Sequence, residues 1–244
     1  MELSVVVPVL NEAGNIEPLV AEVVAALDTG PRFEILYVDD GSDDATPREL
    51  AAARRRYPQL RVITHRRPCG QSTALRTGVV AARGEWIATL DGDGQNDPAD
   101  IPKLLTVAQQ AAATGQSLLV AGYRTRRQDS SIKRVSSRVA NAVRSRLLRD
   151  ATPDTGCGLK VFRRTDFLAL PYFDHMHRFL PALMQRAGGR VTSVEVNHRH
   201  RQRGASKYGT LDRLAVGVVD LLGVMWLARR AHIPEASETQ DALE

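Results

Sequence analysis

The stretch EWIATLDGDGQNDP, Glu85–Pro98, passes from a short apolar run into a turn carrying three aspartates, a glutamine and an asparagine. A strand that ends in such a turn needs either a cation or solvent to meet the charge. The apolar run has counterparts along the chain: LSVVVPV (3–9), FEILYV (33–38), LRVIT (60–64) and SLLVAG (117–122), with helical stretches between them. That alternation predicts an α/β fold with a mostly parallel sheet covered by helices on both faces. In such a sheet ligands bind in the crevice beyond the carboxyl ends of the strands. The loops at those ends are PVLNEAGN, DDGSDDAT and DGDGQNDP, all polar and two strongly acidic. No G-x-G-x-x-G follows the first strand and no G-x-x-x-x-G-K-[ST] occurs, so the common glycine cradles for phosphate are absent. Thr46-Pro47 and Asp97-Pro98 each read as a capping side chain ahead of a proline in the first helical turn.

The 244 residues, 43% of them apolar, are enough for one sizeable domain with a real core. A net charge of +5 and a pI near 9.5 point to an acidic partner: nucleic acid, anionic lipid or a phosphorylated small molecule. Nucleic acid fits poorly, because only 5% of residues are aromatic and only Tyr123 and Tyr208 flank the arginines as stacking platforms. Cys69 and Cys157 lie far apart without metal-ligand spacing, which suits a reducing compartment and makes the cytoplasm the expected location. The opening MELSVVVPVL reads as a strand rather than a leader. AVGVVDLLGVMWLA, Ala215–Ala228, is shorter than the ~20 apolar residues of a membrane span and contains Asp220. It reads as an interfacial or core helix.

After Gly122 the character changes. Residues 124–149 hold nine basic residues against one acid, Asp129, and Val135, Val139, Val143 and Leu147 recur every four positions. That is the stripe of an amphipathic helix with one buried face; a solvated basic helix and an anion-facing wall both fit it. A second basic cluster, HRHRQRGASKYG (198–209), follows the strand-like RVTSVEV (190–196) and combines backbone and side-chain donors suited to phosphate. An ordinary charged loop would look the same. The chain then reads as helical to Arg230 and ends in a polar, acidic tail over 231–244.

Asp91 and Asp93, with Gly92 and Gly94 to let the chain turn, offer the hard oxygen ligands that Mg2+ or Mn2+ shares with substrate phosphates. D-x-D alone is a weak signal; its position after the fourth strand strengthens it. Together, VVVPVLNEAGNI, ILYVDDGSDDAT, LDGDGQNDP and RGASKYG resemble the inverting family 2 glycosyltransferases, specifically the dolichol-phosphate mannosyltransferase-like branch that acts on polyprenyl phosphates. Four motifs in order over residues 2–210 make the resemblance specific.

The resemblance implies a single-domain glycosyltransferase A-type, Rossmann-like fold over 1–210, with a nucleotide-sugar half (1–122) and an acceptor half (123–210). An amphipathic helix (211–230) and a flexible tail (231–244) would follow. It implies that Pro8, Leu10, Glu12, Val38 and Asp40 cradle the nucleotide, and that Asp91 and Gly92 lie against the nucleotide-sugar. Asp91, Asp93 and Gln95 would bind the metal, Gln95 being typical of the polyprenyl-phosphate branch. Arg124, Arg134 (or Lys133) and Arg138, with Arg201, Ser206 and Lys207, would surround the acceptor phosphate and donor diphosphate. DTGCGLKVFRR (154–164) would line the acceptor side, with Asp154 as base if the acceptor were a hydroxyl. His177 and Arg178 in HMHRFLPAL (175–183) fit either a functional or a fold-stabilising role.

The implied reaction is metal-dependent, inverting transfer from a nucleotide-sugar, GDP-mannose or a UDP-sugar, to a polyprenyl phosphate at the cytoplasmic membrane face. The alternatives are a hydroxyl acceptor in cell-envelope glycan synthesis and a non-catalytic nucleotide-binding module. A lipid phosphate needs no general base, since its second ionisation near pH 6 leaves it anionic at pH 7. Many relatives continue into transmembrane helices. Here Trp226, Arg229 and Arg230 suit a helix lying on lipid, while packing on the core, on another copy or on an integral membrane partner would also account for them.

Overall fold

The computed structural model describes residues 1–113, 115–124, 144–148, 150, 152–200 and 210–232, with side chains of the last helix from 216 onward. Seven strands form one sheet in the order β3-β2-β1-β4-β6-β5-β7. They are β1 (Leu3–Val9), β2 (Phe33–Asp39), β3 (Leu60–Thr64), β4 (Trp86–Thr89), β5 (Leu118–Tyr123), β6 (Lys160–Arg163) and β7 (Arg190–Glu195). The helices are α1 (Ile16–Leu27), α2 (Thr46–Arg56), α3 (Gln71–Ala81), α4 (Ile101–Ala112), α5 (144–148), α6 (Arg164–Leu168), α7 (Leu180–Arg186) and α8 (Thr210–Arg229). None of the described helices is long and apolar enough to cross a membrane.

Period-two alternation sorts the core into two layers. Leu3, Val5, Val7 and Val9 of β1, with Ile35 and Tyr37 of β2, face α1, α2 and α4; Val6 and Leu36 face α3, α6 and α7. Both layers are fully buried at the centre, which is why the strands read as continuous apolar runs. The expectation of a mostly parallel sheet holds: six strands run in one direction and one is reversed. β6 runs antiparallel to both β4 and β5, between them. Its four residues begin and end with a cation, so the segment lacks the apolar signature of the other strands.

That reversal brings the start of β6 to the edge where the other six strands end. At the same edge the chain turns left from β1 to β2 and β3, then right to β4. The crevice between the ends of β1 and β4 is therefore the switch point of the sheet.

Two local expectations are corrected. Thr46 is the first residue of α2 rather than its cap: its N–H donates to Asp44 Oδ1 at 2.8 Å and its hydroxyl accepts from Glu12 N at 2.9 Å. Leu147, expected on a buried stripe, is 44% exposed, while Leu148 beside it is buried. Arg144 forks onto buried Asp150 at 2.7 and 3.1 Å, so one cation of the basic segment supports the fold. Asp97 caps as expected, accepting from Ala99 N at 3.0 Å ahead of the short turn that leads into α4.

At the opposite edge of the sheet, Glu34 joins four segments. Ser4 Oγ donates to it at 2.7 Å, Arg61 at 2.6 Å and Arg83 N at 2.6 Å, and Ser4 in turn accepts from Gly84 N. Burial raises the pKa of Glu34, and these donors together with the Arg61 charge outweigh it, leaving the carboxyl below its ordinary 4.5. A depressed carboxyl contributes stability above the unfolded value and loses it as pH falls through the folded one. Glu34→Ala should therefore cost about 2–4 kcal/mol at pH 7, measured by chemical unfolding, with the penalty shrinking below pH ~4.

Candidate active site

The first two strand-end loops are laced together. Asn11, held at a φ of 54°, donates from Nδ2 to Asp43 Oδ1 at 2.6 Å and accepts from Asp43 N at 2.9 Å. Its own N–H reaches Ser42 Oγ at 2.8 Å. Ala13 N donates to Asp44 Oδ2 and Gly14 N to Glu49 Oε2. Asp43 and Asp44 of DDGSDDAT, with Glu49 of α2, thus satisfy side-chain and backbone donors of the first loop. Leu10 and Glu12, expected to cradle a nucleotide, sit in this lacework, where Glu12 Oε2 accepts from Asn15 Nδ2 at 2.9 Å.

Asp40 is also occupied. Its Oδ1 accepts from Cys69 N at 2.8 Å and contacts His65 Nδ1 at 2.7 Å, and its Oδ2 accepts from Gly70 N at 2.8 Å. The geometry gives Asp40 the work of holding the segment that precedes α3. Asp40, His65 and Cys69 form a compact set of possible ligands, but His65 engages Asp40 through one nitrogen and Thr77 through the other at 3.0 Å, so the ring is already bound. Val38 is corrected as well: its side chain is fully buried under α3 and its backbone lies in the sheet between Pro8 and Ile63. Pro8, half-buried, is the strand residue opposite it. The neighbour that sequence reasoning passed over is Asp39. It is fully buried; Oδ1 accepts from Ser42 N at 3.0 Å, and Oδ2 has no partner among the described residues. An unpaired buried carboxylate oxygen at a strand end calls for a donor from a ligand.

The third loop gathers the expected carboxylates. Gly94 adopts a φ of +72°, which closes the turn after Asp93, and the Asp93 charge acts on Asp91. Gly92 serves by its size, since a side chain there would strike Val9. Asp91 Oδ1 accepts from Gln71 Nε2 at 3.0 Å, and Asp91 N donates to Asn96 Oδ1 at 3.4 Å. Burial, with the Asp93 charge behind it, pushes the Asp91 carboxyl up to about 6, while Lys160, Arg124 and Gln71 pull the other way. A raised Asp91 carboxyl with a second acid beside it, in a set of hard oxygen donors, fits a divalent cation. Asp93 Oδ1 also accepts from Gln95 N at 3.1 Å. Gln95 Nε2 points to Arg199 O at 3.5 Å, an orientation that leaves Oε1 as a third hard ligand.

The start of β6 forms the wall behind Asp91. A Cβ on Gly158 would overlap the Asp91 carboxylate and lie 2.8 Å from Asn96 Oδ1. Thr89 Oγ1 donates to Gly158 O at 2.6 Å, fixing that wall to β4. Lys160 is buried and donates to Thr155 O and Cys157 O. Burial lowers its pKa, whereas Cys157, Asp91 and Asp154 favour its charged form. Gln71 and Asn96 were missed from sequence, and Gly158 and Lys160 were included only as part of the 154–164 segment, without individual roles. The available signal was Lys160 standing alone in the apolar GLKVF, a cation without an evident solvent face.

Arg124, at the end of β5, forks onto Asp154 through Nε at 2.6 Å and Nη2 at 3.0 Å, and both are largely buried. Asp154 is therefore the orienting partner of a cation rather than a free base. Of the two roles left open for His177, its bonding fits the fold-stabilising one. Burial, then Arg178, Lys160 and His175, push its ring down to about 3, and it pairs with Ser72 Oγ at 2.8 Å, tying α3 to the turn before α7. The base of the second basic cluster is latched to the third loop: Arg199 N donates to Gln95 O at 2.9 Å, and its guanidinium reaches Glu22 at 2.7 Å and Asp97 at 3.3 Å. Lys133, Arg134, Arg138, Arg201, Ser206 and Lys207 lie outside the described residues.

A carboxyl raised from 3.8 to about 6 binds a proton on folding. Stability is thus fully present below the unfolded value and lost as pH rises through 6. Asp91→Asn removes that penalty. Partial solvent access at Asp91 discounts the full shift, and the metal-free variant should gain about 1–2 kcal/mol at pH 8. Thermal unfolding across pH should show the gain vanish below pH ~4.

Comparisons with known proteins bear on the family and the fold. The glycosyl transferase family 2 profile matches residues 4–170. Dodecaprenyl-phosphate galacturonate synthase of Rhizobium johnstonii is 37% identical over 237 residues, covering 94% of this chain and 68% of that protein. Undecaprenyl-phosphate 4-deoxy-4-formamido-L-arabinose transferase of Pseudomonas aeruginosa is 36% identical over 225 residues, covering 91% and 65%. The chain thus spans about two thirds of the length of these relatives. Among solved structures, glucosyl-3-phosphoglycerate synthase of Mycobacterium tuberculosis with Mn2+, uridine diphosphate and phosphoglyceric acid superposes with a TM-score of 0.69 at 22% identity, covering 96% of this chain and 80% of that one. The sheet order and helical layers are those of the glycosyltransferase A-type fold, and the chain belongs to glycosyl transferase family 2.

Proposed function

We propose that the chain transfers a sugar from a nucleotide-sugar to a polyprenyl phosphate, with inversion, at the cytoplasmic face of a membrane. The observation that carries the reading is the Asp91–Asp93 pair at the sheet's switch point, backed by the Arg124–Asp154 fork and buried Lys160. The acceptor class rests on the names of the relatives, which act on dodecaprenyl and undecaprenyl phosphate. The cytoplasmic side is where nucleotide-sugars are met, and two free cysteines are compatible with it.

The residues divide the work as follows. Asp39 Oδ2 accepts a donor from the nucleoside, in the role first expected of Asp40. Asp91, Asp93 and the Gln95 amide oxygen would hold a divalent cation, which would supply Lewis-acid neutralisation of the departing diphosphate. Arg124, aimed by Asp154, faces the acceptor phosphate with its remaining N–H donors. An acceptor oxygen attacks the anomeric carbon, the bond from that carbon to the donor's diphosphate oxygen breaks, and the electron pair leaves with the nucleotide. No proton has to move, so positioning and electrostatics suffice.

A screen of labelled GDP-mannose and UDP-sugars with Mn2+ or Mg2+ and a short-chain polyprenyl phosphate tests this. Labelled product should partition into organic solvent. Asp93→Ala should lower kcat about 100-fold or more, and Asp39→Asn should chiefly raise KM for the donor. Undiminished transfer by the Asp93 variant would refute the metal assignment, and a chain inert with every donor would refute the activity.

A further inference from the structure

Nine large apolar side chains are exposed among the described residues, and five of them, Val216, Val218, Val219, Leu222 and Trp226, lie on α8. Val219, Leu222 and Trp226, at 69%, 60% and 60% exposed, follow the three- and four-residue spacing of one helical face. The other face is anchored. Leu221, Val224 and Met225 pack with the α3–α6–α7 layer, and Arg186 Nε donates to Leu227 O at 2.9 Å. His175 Nδ1 lies 3.0 Å from Asp220 Oδ2, an ion-pair distance without hydrogen-bond alignment. The helix is thus apolar on its covered and its open face, where an amphipathic helix was expected, and a helix of that kind requires cover on both sides.

We propose that the Val219–Leu222–Trp226 face of α8 enters the interfacial zone of an anionic bilayer. Arg229 and Arg230, both exposed, close the helix beside that face and meet lipid phosphates. Tryptophan suits the boundary between headgroup and acyl chain. The stripe presents on the order of a few hundred Å², short of the ~800 Å² per partner of a stable protein interface. A monolayer needs no such area, because insertion strength scales with the apolar surface immersed plus the attraction of anionic headgroups.

The placement of α8 relates this surface to the candidate site. Asp220 faces His175, and the turn holding His175 abuts the start of α3 through Tyr172 OH–Thr73 Oγ1 at 2.7 Å and His177–Ser72 at 2.8 Å. The same start of α3 carries Gln71, which bonds Asp91. The use of the surface, to meet a lipid-borne acceptor, rests on the transfer reading above; the binding itself does not.

Flotation of the full chain with phosphatidylcholine vesicles, with and without phosphatidylglycerol, tests the proposal. The wild type and Val80→Glu, a control at an exposed apolar position on α3, should float with anionic vesicles and less with neutral ones. Leu222→Glu/Trp226→Glu should reduce bound protein about ten-fold or more while melting at the same temperature. It should keep activity on a water-soluble short-chain acceptor and lose it on long-chain acceptor embedded in vesicles. Equal flotation of variant and wild type, or none by the wild type, would overturn the assignment. A concentration-dependent dimer abolished by the double substitution would overturn it in favour of a second copy. The expected flotation pattern from a chain that glycosylates no acceptor would support the surface and defeat only the reading of its reaction.

Discussion

Asp91 and Asp93 repel one another across a single glycine, and much of the surrounding structure holds that repulsion in place. Burial and the neighbouring charge push the Asp91 carboxyl up; Lys160, Arg124 and Gln71 restrain it. Those counterweights reach one point because β6 is reversed. Six strands end at this edge and one begins there, so Gly158, Lys160 and the preceding turn with Asp154 arrive opposite the β4 loop. A seventh parallel strand would have sent the start of that segment to the far side of the sheet.

The remaining negative charge explains itself by counting donors. Asp44 and Glu49 accept from backbone N–H groups of the first loop, Asp43 accepts from the Asn11 side-chain amide, and Asp40 accepts from two N–H groups ahead of α3. Loops fixed by so many charge-assisted bonds lose little freedom when a ligand arrives, which is the condition for electrostatic preorganisation. It also isolates Asp39. Among the acids of the second loop with described bonds, its Oδ2 is the buried oxygen left unmatched.

Strand positions at 3–9 and 60–64 were legible to the residue, because buried parallel strands write uninterrupted apolar runs. The turn after β4 was legible as a turn because two glycines alternate with its acids, and Gly94 does adopt a positive φ. β6 was not, since a strand of four residues with a cation at each end has no periodicity to read. The choice between Asp39 and Asp40 was not legible either. Adjacent residues at a strand end point in different directions, and which carboxylate is saturated depends on Cys69 and Gly70, about thirty positions away. Nor did the apolar count of α8 reveal which face the core would leave open; that depends on where α7 and the turn at His175 stand.

The Arg124–Asp154 fork bears on the class of acceptor more directly than any single distance to a ligand could. A guanidinium has five N–H donors, and two engage Asp154. The rest are held in a fixed plane. For a hydroxyl acceptor, Asp154 would have to accept a proton while its oxygens are committed to a buried cation, and the loss of that pair would leave Arg124 uncompensated at a cost of several kcal/mol. For a phosphate acceptor the fork stays intact, and the donors of Arg124 not engaged by Asp154 among the described residues can meet an anion that is already nucleophilic. The arrangement therefore favours an acceptor that arrives charged, and it does so through the pairing of a carboxylate that sequence reasoning had reserved as a base.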